Sequence, residues 1–211
     1  MVFTDSPRSA ADDPAGVAPP ASTVPSVLGA LQQILAENAA LFTRLPPEAE
    51  ANLAAVADRL RTADRVFVLG AGRSGLALGM TAMRLMHLGL AVNVVGEVTT
   101  PAIRAGDALL VASGSGSTAG IVRAAETAHG VGASVLALTT AADSRLADLA
   151  DVCVILPAAQ KQDRGGSVSA QYAGALFEQA VVLVGDALFF SLWRASGATA
   201  DELWPRHANL E

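Results

Sequence analysis

Cysteine is nearly absent: Cys153 is the only one in 211 residues. An internal disulfide is therefore excluded and a reducing compartment is compatible with the chain. Cys153 lies in the apolar run Val152–Leu156, which predicts a buried thiol. The three histidines, His87, His129 and His207, are scattered, so no metal-ligand spacing is present and no metal is expected. Basic residues are also sparse. Fourteen Lys and Arg stand against 20 Asp and Glu, a formal charge of −6 with no compensating Lys/Arg run. That argues against a nucleic-acid surface or an anionic membrane as partner, and an anionic ligand would have to be held locally. A long uninterrupted apolar stretch is missing as well: Ala173–Trp193 is broken by Glu178 and Asp186, charges that are costly in lipid. The expected location is the cytoplasm.

The first 25 residues hold five of the ten prolines and lack a basic start followed by an apolar stretch, so they predict a flexible leader and not a signal peptide. Residues 26–211 suit one domain with a sizeable core, given 52% hydrophobic content and a mean hydropathy of +0.42. Apolar residues at Val24, Leu28, Leu31, Leu35 and Phe42 have helical spacing, and a second helix should follow Pro46 and Pro47. Strands are then expected at Arg65–Leu69, Ala91–Val95, Ala108–Ala112, Ser134–Leu138 and Val152–Leu156. Helices should lie between them at Leu76–Leu88, Thr118–His129 and Leu146–Leu149. After a polar stretch from Gln160 to Ser169, the series Leu176, Ala180, Val184, Leu188, Leu192 predicts a long C-terminal helix. Strands apolar on both faces, alternating with helices, imply an α/β fold. It is a three-layer, doubly wound, five-stranded parallel sheet of flavodoxin-like order 2-1-3-4-5, with N-terminal helices and the long C-terminal helix added.

Two loops stand out: Gly70-Ala71-Gly72-Arg73-Ser74-Gly75 after the first strand, and Ser113-Gly114-Ser115-Gly116-Ser117-Thr118 after the third. In the order 2-1-3-4-5 these loops face one another where the sheet changes direction, and both lead into helices. Glycine lets backbone N–H groups approach an anion, the helix dipole favours it, and four hydroxyls add donors without a metal. Ser74, Ser113, Ser115, Ser117 and Thr118, with Gly114 and Gly116, are thus candidate phosphate ligands, and Arg73 adds a cation. Rival readings are tight structural turns, Ser117 or Thr118 merely capping a helix, and a dinucleotide fingerprint on Gly70, Gly72 and Gly75 with Glu97 as ribose ligand. Against a nucleotide, one pyrophosphate does not call for a second serine-rich loop.

Glu178 sits in the apolar C-terminal helix, where burial would raise its pKa toward the range of a general base; the alternative is a paired charge on a helix face. His207 lies near the C-terminus. His87 ends a helix as a dipole partner or core residue, His129 should be a surface residue near another helix end, and Trp193 and Trp204 read as packing residues.

These motifs resemble the sugar isomerase (SIS) family, and within it the 6-phospho-3-hexuloisomerases. The resemblance runs from about Val27 to Glu211. It is carried by the two loops, Met83-Arg84-Leu85-Met86-His87-Leu88-Gly89, Val95-Gly96-Glu97 with Thr100-Pro101, Gly174-Ala175-Leu176-Phe177-Glu178-Gln179, and the ending His207-Ala208-Asn209-Leu210-Glu211. Arabinose-5-phosphate isomerases carry a His-Pro-x-Glu-Ala segment where this chain has Val95-Gly96-Glu97-Val98-Thr99, and often add CBS domains. Regulatory SIS proteins carry a DNA-binding domain that residues 1–25 would not supply. Two positions depart from the resembled pattern: Ala173 where Met is frequent, and Ser117 where acidic residues are common.

The resemblance implies isomerisation of D-arabino-3-hexulose 6-phosphate to fructose 6-phosphate through a cis-enediol, in the ribulose monophosphate pathway of formaldehyde fixation. It implies no cofactor and Glu178 as base; His207 is a candidate for moving the hydroxyl proton or assisting ring opening, and its terminal position points to a neighbouring subunit's cleft. It also implies a phosphorylated hexulose as the small-molecule partner and a homo-oligomer, tetramer or dimer. A non-catalytic sugar-phosphate-binding module and an NAD-binding oxidoreductase are the alternatives.

Overall fold

Strands that are apolar on both faces need cover on both sides, and the computed structural model, which describes residues 24–159 and 168–210, supplies it. Of the predicted leader, residues 1–23 lie outside the described residues, as do residues 160–167 of the polar stretch. Helix α1 (Val27–Thr43) begins at Ser26, whose Oγ accepts from the Gly29 N–H at 3.1 Å, and α2 is Ala49–Thr62. The alternating part follows as β1 (Val66–Gly70), α3 (Arg73–His87), β2 (Val92–Val94), β3 (Ala108–Ala112), α4 (Ala119–Gly130), β4 (Ser134–Thr139), α5 (Arg145–Leu149) and β5 (Val152–Ile155). Helix α6 is Ala175–Ser196; a short α7 (Ala200–Leu203) and a 3₁₀ turn, Trp204–Arg206, close the chain.

All five strands are parallel, in the order β2-β1-β3-β4-β5. Strand side chains alternate between faces, and the sheet therefore divides the core in two. Val66, Val68, Leu110, Leu136 and Leu138 face α1, α2, α3 and α6, where Leu41, Val56, Leu60, Leu78, Leu85 and Val184 meet them. Phe67, Leu109, Val111, Val135 and Ala137 face α4 and α5. Leu176, Ala180, Val184, Leu188 and Leu192 of α6 are all buried. Although α6 is long and apolar enough to span a bilayer by length and composition, its periodic face packs into this core.

Several expectations need correction. The third helix starts at Arg73, three residues before the predicted Leu76, because Gly70 and Gly75 are in direct backbone contact. A Cβ on Gly75 would lie 2.6 Å from the Gly70 carbonyl oxygen, and one on Gly70 would lie 2.7 Å from the Gly75 nitrogen. This contact, with Gly72 at φ 59, lets the chain enter the helix at once. Cys153 is only half-buried, because β5 is an edge strand; burial still pushes its thiol up from the ordinary value. Trp193 does pack, donating from Nε1 to the Ala198 carbonyl at 2.8 Å, but Trp204 is exposed and leans on His207. Finally, Val24, Leu28, Leu31 and Leu35 of the first helical pattern face solvent, as does Val27, while Leu41 and Phe42 reach the core.

Candidate active site

The parallel register pairs Gly70 with Ala112, so the two glycine loops leave adjacent strands at the same edge of the sheet. A cavity of about 50 Å³ lies between them, lined by Ala71 and Ser74 from the first loop and by Ser113, Gly114, Ser115 and Thr118 from the second. Ala112 and Ile121 complete its wall. Ser74 and Ser113 are both buried. Thr118 occupies the N-cap of α4 but makes no side-chain cap; its Oγ1 lies 3.1 Å from Ser113 Oγ instead. Gly72, the N-cap of α3, has no side chain to cap with. Residues at the N-termini of two helices, Ser74 of α3 and Thr118 before α4, thereby line one small polar hollow, an arrangement suited to an oxyanion.

The second loop is held rigidly. Gly114 O accepts from Thr140 N at 3.1 Å, from Thr140 Oγ1 at 2.8 Å and from Thr139 Oγ1 at 3.2 Å, and Gly116 O accepts from Leu146 N at 3.1 Å. Gly116 has φ 61 and is buried against Ser144, where a Cβ would collide. Gly116 and Ser117 do not line the hollow. Ser117 is exposed and donates from its hydroxyl to Ser115 Oγ at 3.0 Å, so both residues act on the shape of the loop.

Helix α6 brings the acid to this end of the sheet. Its first turn abuts the second loop, since a Cβ on Gly114 would touch Phe177 Cδ1 at 3.4 Å. Glu178 follows Phe177 and is 7% exposed. Its Oε2 lies 2.6 Å from Arg73 Nε, whose side chain remains mostly exposed. The carboxylate is therefore buried and also paired, with Arg73. An isolated carboxylate in an apolar pocket is not what the fold builds. Arg73 keeps its other guanidinium N–H groups available on the solvent side.

His207 is not in this cleft. It follows the 3₁₀ turn, with its ring centroid 4.1 Å from that of His87 and 4.7 Å from that of Trp204, and Arg206 Nη1 donates to the His87 carbonyl at 3.1 Å. His87 is the last residue of α3 and Arg73 the first, so His207 sits about 20 Å from the Arg73–Glu178 pair at the 1.5 Å rise of a helix. His87 is buried; burial, with His207 and Arg84 nearby, pushes its pKa below the ordinary value. His129 is exposed near the end of α4, as expected, and Glu97 is exposed in the turn after β2. Ala71, Ala112 and Ile121 are the lining residues that sequence reasoning passes over, because an apolar side chain carries no chemical mark of a site.

Residues 59–183 match the SIS domain family. Over 159 residues, 75% of this chain and 80% of the relative, the sequence is 60% identical to the 3-hexulose-6-phosphate isomerase of Mycobacterium gastri. It is 37% identical to the 3-hexulose-6-phosphate isomerase of Bacillus subtilis, covering 74% of this chain and 85% of that protein. Among solved structures, a Methanococcus jannaschii protein, for which the crystal structure infers a molecular function of 3-hexulose-6-phosphate isomerase, matches with TM-score 0.74 and 27% identity. That match covers 86% of this chain and 99% of the other.

Proposed function

The chain belongs to the SIS domain family, and we infer that it is a 3-hexulose-6-phosphate isomerase, converting D-arabino-3-hexulose 6-phosphate to fructose 6-phosphate. The similarity to named isomerases supports the reaction; the observation that carries the mechanism is the buried Glu178 carboxylate beside Arg73 at the mouth of a two-helix oxyanion hollow.

Moving the carbonyl from C3 to C2 requires removal of the C2 proton, formation of a C2–C3 cis-enediol, and protonation of C3. A hydroxyl proton passes from O2 to O3 in the same sequence. Glu178 takes the C2 proton and returns it to C3, because one carboxylate held on one face of the enediol reaches both carbons. Ser74, Ser113, Ser115 and Thr118, with the backbone of Gly114, hold the phosphate, and that grip fixes the distance from C6 to the reacting carbons. Arg73 keeps Nε on Glu178 and turns its remaining donors toward substrate oxygens, stabilising negative charge as the enediol forms.

His207 serves a neighbouring copy's cleft, moving the hydroxyl proton there, since about 20 Å of helix separates it from its own. Association of copies is supported by the exposed apolar stripe Val27, Leu28, Leu31 and Leu35 on α1, with Val24 exposed just before it. An apolar groove of about 580 Å³ also lies between α1, α2 and α6, lined by Phe42, Leu53, Ala57, Leu183 and Leu188. A dimer or tetramer would cover both. A small phosphorylated metabolite as substrate, and a single thiol, fit a cytoplasmic enzyme.

The direct test is Glu178→Gln, followed by turnover of fructose 6-phosphate to the 3-hexulose. The amide keeps the shape and removes the proton acceptor, so a loss of about 10²-fold or more is expected. Near-wild-type turnover in a folded variant would end the assignment. Mixed oligomers of Glu178→Gln and His207→Ala chains should regain activity; failure to do so, with mixing demonstrated, would show that the cleft is not shared.

A further inference from the structure

A polar cluster outside the cleft joins α1, the segment before α6, and α6 itself. Glu37 of α1 accepts from Ser169 Oγ at 2.6 Å and from Gln171 Nε2 at 3.0 Å on one carboxylate oxygen, and from the Ala170 N–H at 3.1 Å on the other. Gln171 exchanges hydrogen bonds with Gln179: Gln179 Nε2 donates to Gln171 Oε1 at 2.7 Å, and Gln171 Nε2 reaches Gln179 Oε1 at 3.3 Å. Asn38 Nδ2, itself buried, donates to the same Gln179 oxygen at 2.8 Å. Residues more than 130 apart in sequence thus grip four residues, Ser169, Ala170, Gln171 and Gln179.

The gripped segment contains Ala173 at φ 52, which among the described residues is the only non-glycine with positive φ. A Cβ disfavours that left-handed conformation, so surrounding contacts must enforce it. Gln171 lies two residues before Ala173. Gly174, the N-cap of α6, follows it, and Glu178 and Gln179 are neighbours in the first turns of that helix. No atom of the cluster lines the phosphate hollow.

We infer that the Glu37–Gln171–Gln179 cluster is a positioning device for the isomerisation: it holds the left-handed turn at Ala173 and so sets the first turn of α6, and Glu178 with it, against Arg73 and the sugar. The inference rests on Glu178 being the base. Glu37 suits the task because burial works against its charge but the hydrogen bonds from Ser169, Gln171, Ala170 and Gln33 outweigh it, holding the carboxyl below its ordinary value. It is therefore an acceptor at both oxygens throughout the neutral range. A glutamine there would set an NH₂ group against donors.

The test compares Glu37→Gln, Gln171→Met, Glu178→Gln and wild type by circular dichroism and by kcat and KM for fructose 6-phosphate. Gln171 is partly exposed, so its replacement breaks the cluster with little risk to folding. Both cluster variants should lower kcat about tenfold or more while KM stays within about twofold, because the phosphate cradle is untouched and only the base is displaced. Adding Ala173→Gly to either should restore kcat to within about threefold of wild type, since glycine adopts φ 52 without being held. Unchanged kcat in Gln171→Met, an equal change in KM, or failure of Ala173→Gly to rescue would overturn the inference. If Glu178→Gln keeps its turnover, the reading of Glu178 fails by itself. If Glu178→Gln is inactive while the cluster variants are normal, only the positioning role fails.

Discussion

Arg73 and Glu178 meet because α3 and α6 cross closely, and one glycine sets how closely. Gly185 of α6 lies against Thr81 of α3. A Cβ at Gly185 would fall on Thr81 Oγ1 and come within 3.1 Å of Thr81 Cβ and 3.3 Å of Cγ2. Thr81 is 2% exposed and its Oγ1 bonds the Ala77 carbonyl at 3.3 Å, so it has little room to turn away. In Gly185→Ala, overpacking should cost about 1–3 kcal/mol, against a gain of about 1 kcal/mol from replacing a helical glycine. The net loss is then roughly 0–2 kcal/mol, a fall in Tm of up to about 8 °C for a chain of this size. Activity should respond more sharply. Gly185 is two turns, about 10 Å, from Glu178, and Thr81 is about 12 Å from Arg73, so helices pushed apart at the crossing also part at the 2.6 Å ion pair. A displacement near 1 Å at the base can cost about 10²-fold in turnover. Adding Thr81→Ala removes the colliding atoms and should recover most of both losses, with a coupling of about 1 kcal/mol or more between the sites. Thermal unfolding and kcat measured across the four-member cycle would decide it. If Gly185→Ala is stabilised by the full helix gain with unchanged kcat, this crossing does not control the Arg73–Glu178 pair.

Arg73→Ala should lower kcat/KM about 10–100-fold, the scale of a lost charge-assisted hydrogen bond; unchanged kinetics would remove Arg73 from the reaction. Gly116→Ala forces a Cβ into Ser144 at a φ of 61, so urea unfolding should show a loss of about 2 kcal/mol or more and inorganic phosphate should no longer protect the protein; a wild-type midpoint would refute the packing argument. His87 binds its proton less readily folded than unfolded, so its contribution to stability is complete above its ordinary value of 6.5 and is lost as pH falls below it. Urea midpoints of wild type should therefore decline from pH 7.5 to 5.5 more steeply than those of His87→Asn, and parallel declines would contradict the burial argument.

Strand order and both phosphate-compatible loops were legible in the linear chain, because a strand covered on two faces must be apolar at every position and a tight strand-to-helix turn must use glycine. Glu178 was legible for a related reason: a carboxylate within a periodic apolar helix face is a costly placement that invites a role. The stripe on α1 shows where that reasoning stops. Its helical period is real, yet periodicity identifies an apolar face without saying whether this chain or another molecule covers it, and in this fold Val27, Leu28, Leu31 and Leu35 are left to solvent.

What the sequence determined by itself was local: element type, the double burial of the sheet, and the residue chemistry of two glycine and serine loops, all set by neighbours within a few positions. The tertiary structure decided the encounters. Arg73 pairs with Glu178 because helices far apart in the chain cross at Gly185, Glu37 reaches residues 169–171 across 132 to 134 positions, and His207 is carried to the wrong end of α3 for its own cleft. Periodicity and propensity act over one or two turns of chain, whereas these contacts depend on how helices pack over a sheet, which no short window of sequence contains.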